Sequence, residues 1–248
     1  MIWSVCNGES HITPISGTLY RLVESQEQVA TMGYVDTLEE QALLEDMLEQ
    51  AKPVYREDMQ AYHFLLSTPF RYPPLQWGSR FGTSNEPSLF YAGSKPSVTL
   101  AESAYYRFVF LYSMEAIHEQ DKIRSEHSMF SVDYQTDLAV QLHTVPFNQY
   151  QTELTDPKLY SHTQQLGSDL RIAGIEAFEY QSARDPNNGV CIALFEPSPF
   201  CQHEPKNRSE WLCETSAAGV SFKQLDENDI VHFPLSTFLV GGILPLPA

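Results

Sequence analysis

Between Arg71 and Arg107 the chain reads RYPPLQWGSRFGTSNEPSLFYAGSKPSVTLAESAYYR, and three side chains there have types and spacing that suit chemistry. Arg80 sits in a glycine-flanked turn, GSRFG. A short apolar strand, LFYAG, carries Tyr91. A helix opened by Pro and Ser then carries Glu102. Further on, YQSARDPNNGVCIALF places Ser182 at the end of a second expected strand. A guanidinium offers a planar fork to phosphates, which a lysine does not reproduce. A phenol ring stacks on a base or orients a ribose. A carboxylate stabilises a cation that develops at a ribose anomeric carbon. Together these groups suit an enzyme that splits a nicotinamide nucleotide.

The elements around these residues must bring them to one place. Gly78 and Gly82 permit a tight turn with close approach of main chain to ligand. Ser94 or Ser97 can cap the helix that Pro96 enters in its first turn, which puts Glu102 in the second turn. Helical side chains lean toward the N-terminus, so Glu102 and Tyr91 are expected to converge on one cleft. Pro69, Pro73 and Pro74 predict an extended loop with Arg71 on irregular backbone. Upstream, residues 13–23 read as a strand containing Tyr20 and Arg21. Thr37 and Glu40 form a capping box before an apolar stripe of Leu44, Met47, Leu48 and Ala51, and Pro53 ends that helix. Downstream, strands are expected at Met129–Tyr134 and Leu138–Leu142. Asp156–Pro157 opens a helix that runs to about Ala173 and stops at Gly174. Ala177–Tyr180 pairs with Val190–Phe195, and Val220–Leu225 with Ile230–Phe233. The expected class is α+β.

The ordered motifs GSRF, FYAGS, TLAE and YQSAR resemble the RES domain, a family named for its Arg, Glu and Ser. The resemblance spans residues 66 to 197, with a weaker match at LYRLV around Tyr20 and Arg21. It implies an ADP-ribosyltransferase-like mixed sheet; the chain reads as one domain, 1–248, in which an acidic helical segment at about 24–65 and an extension at about 198–248 flank the matched core and have no role assigned by the resemblance. It assigns the family's arginine to Arg80, its tyrosine to Tyr91, its glutamate to Glu102 and its serine to Ser182. By the same resemblance the chain is the toxin half of a toxin–antitoxin pair. NAD+ is its substrate rather than a bound cofactor, and a basic, DNA-binding Xre-like antitoxin is its partner. Arg80, Tyr91, Ser182, Arg71 and Arg21 are the expected nucleotide contacts, with Arg184 behind them. Phe81 departs from the pattern, since many members carry Trp after the arginine. Phosphate, water and protein side chains all remain open as ADP-ribose acceptors. A catalytically silent partner-binding module is a further alternative, and homo-oligomer formation is left open.

Composition narrows these readings. The chain has 248 residues, 42% hydrophobic, enough for a sizeable core. Its formal net charge of -17 disfavours sequence-independent nucleic-acid binding, because phosphates would be repelled. No Lys or Arg falls between Leu22 and Ala51, where Glu24, Glu27, Asp36, Glu39, Glu40, Glu45, Asp46 and Glu49 lie. That stretch reads as a solvated acidic face or as a surface for a basic partner. An acidic protein binds anionic NAD+ only through locally placed cations, which makes its arginines telling. No run approaches the roughly 18 apolar residues of a membrane span. No secretory signal is evident, and Cys6, Cys191, Cys201 and Cys213 lack metal or redox spacing, so a cytoplasmic protein with free thiols is expected. GxGxxG, Walker, HExxH and GxSxG motifs are absent, and no metal is expected.

Overall fold

A computed structural model describes residues 1–25, 34–114 and 122–246. The first part of the acidic segment, 26–33, therefore lies outside the described residues. The helices are α1 (Ile2–Val5), α2 (Leu38–Ala51), α3 (Phe64–Arg71), α4 (Pro96–Ser113), α5 (Gln151–Leu154) and α6 (Ser161–Ile172). The strands are β1 (Thr13–Glu24), β2 (Phe90–Gly93), β3 (Ile123–Gln141), β4 (Ala177–Gln181), β5 (Val190–Leu194), β6 (Asn207–Thr215), β7 (Gly219–Gln224) and β8 (Ile230–Pro234). The α+β class expected from the sequence is the class observed.

Among the described residues, all eight strands form one sheet in the order β1-β2-β5-β4-β3-β6-β7-β8. β1 also runs antiparallel along β3, so the first five strands close on themselves. The closure is asymmetric. β1 follows β3 almost from end to end, but it touches β2 at a single pair, Tyr20 opposite Gly93. Beyond Tyr20 the two strands part, and the gap is where the candidate site opens. Only β3 and β4 are parallel; β6, β7 and β8 extend the sheet as an antiparallel meander.

Three apolar clusters hold these layers. α4 lays Leu100, Ala104, Tyr105 and Phe108 on Trp211, Cys213, Val220 and Phe222 of the meander. α6 packs Leu166 and Leu170 with Phe81 and Phe178. α3 packs Leu65, Leu66 and Phe70 beside Phe90 and Phe200. Each fully buried large side chain removes enough apolar surface to contribute about 1.5–3 kcal/mol.

Several expectations need correction. The two strands expected at 129–134 and 138–142 are the single strand β3. The polar run Gln135–Asp137 is absorbed at a bulge opposite Thr13–Ile15, with Thr136 donating to the Glu176 carboxylate and the Gln135 N–H bonding the Pro199 carbonyl. Pro69 does not force an extended loop. It lies inside α3, whose first turn is capped by His63 Nδ1 accepting from the Leu65 N–H. Arg71 therefore ends a helix. Asp156 does not open α6; its Oδ1 accepts from the N–H groups of Lys158 and Leu159 in a local turn, and the helix begins at Ser161. Gly174 does end it, at φ +74. In α2, Thr37 caps the Glu40 N–H as expected, but Met47 and Leu48 of the apolar stripe are exposed. β6 was not foreseen, because its polar residues mask the alternation.

Candidate active site

Tyr20, Gly93, Cys191 and Tyr180 are register partners across β1, β2, β5 and β4, and this row floors a cavity of about 460 Å³. Helix α4 forms one wall through Thr99, Glu102, Ser103, Tyr106 and Phe110, residues that share one helical face. The helix approaches the sheet closely. Thr99 Oγ1 donates to the Tyr20 carbonyl at 2.9 Å, and a Cβ on Gly93 would meet that Oγ1 at 2.5 Å. Glycine at 93 is thus what lets α4 sit against β1, and α4 in turn sets Glu102 over the floor.

Glu102 is partly buried and held through one oxygen. Ser182 donates its hydroxyl proton to Glu102 Oε1. The same Ser182 oxygen accepts from the N–H groups of Arg184, at 3.1 Å, and Asp185, at 2.9 Å. These two bonds fix the turn after β4. Ser182 is 3% exposed and does not line the cavity, so its hydrogen-bonding capacity goes to Glu102 and the turn rather than to a phosphate.

The Arg80 turn is clamped from two sides. Gly78 takes a positive φ of +74, and the Ser79 N–H closes onto the Gly82 carbonyl at 2.7 Å. Gln164 of α6 donates to the Trp77 and Ser79 carbonyls, and Gly167 lies so close to the Phe81 carbonyl that any Cβ would collide with it. From the cavity side, the Tyr91 hydroxyl accepts the Phe81 N–H at 3.0 Å and lies 2.9 Å from Ser79 Oγ. Burial pushes the Tyr91 phenol up to about 12, so it keeps its proton at neutral pH. Arg80 lines the cavity but is only 9% exposed; its Nη1 donates to the Leu154 and Asp156 carbonyls and its plane lies over Tyr160. Phe81, the departure from the family pattern, is fully buried edge-on against Phe178 and Tyr180.

Arg21 lines the cavity beside Tyr20. Its guanidinium lies over Phe90, one nitrogen is buried without a hydrogen-bond partner, and desolvation lowers its pKa to about 10. A half-buried cation with an unmet buried donor is costly unless an anion completes it. Arg71 and Arg184 are not brought to the cavity. Arg71 bonds the Pro53 carbonyl, pairs with Glu49 at 2.8 Å and stacks on Tyr55, fastening α2 to α3. Arg184 bonds the Pro157 carbonyl at 2.8 Å and stacks on Tyr105.

Sequence reasoning missed Tyr106, Arg107, His127, Tyr180 and Cys191, all of which line the cavity. Two signals were available: Tyr106 follows Glu102 by one helical turn, and Tyr180 precedes Ser182 by one strand period. At the far end, buried Arg107 pairs with Glu24 at 3.0 Å and donates to Thr215. His127 bonds Ser125 there, and burial, then the Arg107 charge, lowers its pKa to about 4. Among the described residues, arginines 21, 80 and 107 outnumber the two lining carboxylates, Glu24 and Glu102, so these residues make a locally cationic basin in an acidic chain. A larger hollow of about 870 Å³ along β3, β6, β7 and β8 shares only Glu24 with it and holds none of the candidate residues.

The profile of the RES domain family matches residues 53–216, two thirds of the chain and every residue discussed above from Pro53 to Thr215. The chain belongs to the RES domain family. Its fold is also that of a chain in the crystal structure of the M. tuberculosis MbcT–MbcA toxin–antitoxin complex. The two are 11% identical, with a TM-score of 0.50 over 84% of this chain and 91% of that one. No curated protein matches the chain. The family match brackets the turn, strand and helix that carry Arg80, Tyr91 and Glu102, whereas Tyr20 and Arg21 of the RES cavity lie upstream of it. Among the described residues no cluster of His, Cys, Asp and Glu is arranged to hold a metal ion, and no helix is long and apolar enough to cross a membrane.

Proposed function

We propose that this RES domain is the toxin of a toxin–antitoxin pair and acts by consuming NAD+. The observation that carries the reading is the anchored carboxylate of Glu102, facing a cationic cavity with one oxygen held by Ser182. In the proposed reaction the bond between the ribose anomeric carbon and the nicotinamide nitrogen breaks. Its electron pair neutralises the pyridinium, and positive charge spreads over the ribose carbon and ring oxygen. Glu102 stabilises that charge, an effect that for one aligned group is worth about 3–4 kcal/mol. An oxygen of inorganic phosphate or of water then bonds the ribose carbon. Water as acceptor releases one proton; phosphate gives a ribose 1-phosphate ester.

Arg21 and the unengaged edge of Arg80 are the proposed pyrophosphate ligands, and Tyr91 orients the nicotinamide ribose while it holds the Arg80 turn. The cavity volume falls within the range of about 300–1,000 Å³ usual for small-molecule sites. Buried arginines at such a site match anions by geometry as well as charge. NAD+ is substrate here, and the reaction draws on no other cofactor. A basic antitoxin suits the exposed acidic face of α2, where Glu39, Glu40, Asp46 and Glu49 are all exposed. The likeness to a chain from a toxin–antitoxin complex supports the pairing. The cytoplasm, where NAD+ is abundant, is the proposed site of action. Expression in a bacterial host is expected to lower cellular NAD+ and arrest growth, and Glu102→Gln to do neither. Arrest by the variant at full strength would sink the proposal.

A further inference from the structure

Of the four cysteines, Cys191 alone lines the cavity. It stands on β5 between Gly93 of β2 and Tyr180 of β4, and it is 2% exposed. Its Sγ lies 3.8 Å from Glu102 Oε1, the same oxygen that takes the Ser182 proton. Burial, and after it the Glu102 charge, hold the Cys191 pKa well above the usual thiol value, so an S–H group faces the carboxylate at neutral pH. A thiol in that state donates to the carboxylate.

The terminal torsion of a glutamate is broad, so one donor locates an oxygen without fixing the carboxylate plane. A second donor on the same oxygen, arriving from strand β5 rather than from the turn after β4, removes that freedom. We propose that Cys191 is a positioning residue for Glu102: its S–H acts with the Ser182 hydroxyl on Oε1, and so presents Oε2 to the substrate. The catalytic consequence rests on the NAD+-consuming reading above; the contact itself does not.

Two measurements test this. In steady-state NAD+ consumption, Cys191→Ala is expected to lower kcat about fivefold, equal to about 1 kcal/mol, with KM unchanged, as fits loss of one weak donor to a charged group. Packing loss alone would lower the melting temperature without a selective fall in kcat. In the infrared difference spectrum between wild type and Glu102→Gln, the S–H stretching band of Cys191 is expected to shift as its carboxylate acceptor becomes an amide. Wild-type kcat in Cys191→Ala would overturn the proposal, as would a raised KM with kcat kept, which would make the thiol a ligand contact. An S–H band indifferent to Glu102→Gln would overturn it as well. If the wild type consumes no NAD+, the functional reading fails, and the infrared band still decides whether the thiol holds Glu102.

Discussion

Replacing Ser182 by alanine separates the two tasks of one buried hydroxyl. The hydroxyl proton goes to Glu102 Oε1, and the oxygen accepts the N–H groups of Arg184 and Asp185. A hydrogen bond to a charged group contributes about 1.5–3 kcal/mol, and its loss frees the carboxylate to turn. On the reading that Glu102 acts only as charge develops, that loss falls on the transition state, so kcat should drop about 10- to 100-fold. The two turn N–H groups lose their acceptor inside the protein, at about 1–3 kcal/mol each if nothing replaces it. Partial rearrangement of the turn brings the expected destabilisation to about 2–4 kcal/mol, or a melting temperature lower by about 5–15 °C for a domain of this size. Because Ser182 does not line the cavity, KM should stay within about twofold of wild type. Steady-state NAD+ consumption and urea unfolding read the two effects separately. A raised KM with kcat intact would refute the reasoning, since it would place Ser182 on the substrate.

Other consequences follow from the same geometry. Arg21→Met removes a half-buried cation with one buried, unbonded nitrogen, so it should stabilise the ligand-free protein by up to about 1 kcal/mol while weakening NAD+ binding; calorimetric titration and thermal melting check both, and a loss of stability would contradict it. Gly167→Ala sets a methyl against the Phe81 carbonyl, so it should displace the Arg80 turn and cost about 1–3 kcal/mol together with most activity; near-wild-type unfolding would show that the turn is not clamped. His127 has a pKa of about 4 in the folded chain, against about 6.5 unfolded, so the unfolded chain binds the extra proton between those values. Its contribution is full above pH 6.5 or so and fades as pH falls, by about 2 kcal/mol between pH 7 and pH 5, and His127→Asn should flatten that part of the stability profile. Equal slopes in variant and wild type would remove His127 as the cause.

What the sequence disclosed was local. The turn, strand and helix bearing Arg80, Tyr91 and Glu102 are punctuated by Gly78, Gly82, Gly93 and Pro96, and each of these marks a backbone event that the fold uses. Gly93, for instance, is where α4 meets β1. The partners that complete the site come from elsewhere in the chain. Cys191 and Tyr180 face each other only through strand register, and Arg107 meets Glu24 across two elements, so no local pattern announces them. Arg71 looked available for a phosphate because prolines surround it, yet α3 turns it onto Glu49 and Tyr55. Ser182 was placed at the correct strand end, but its direction depends on Glu102, eighty residues earlier. Periodicity also failed where one strand contained a polar bulge, as in β3, and where an apolar stripe stayed exposed, as in α2.

The central claim is that Glu102, anchored by its buried donors, drives cleavage of NAD+. Its most direct test is NAD+ consumption by the purified protein, with and without inorganic phosphate, beside Glu102→Gln. The wild type should release nicotinamide, and the variant should be slower by about 100- to 1,000-fold with its fold intact. Phosphate dependence would name the acceptor. Equal consumption by the two proteins, or none by the wild type under either condition, would contradict the account.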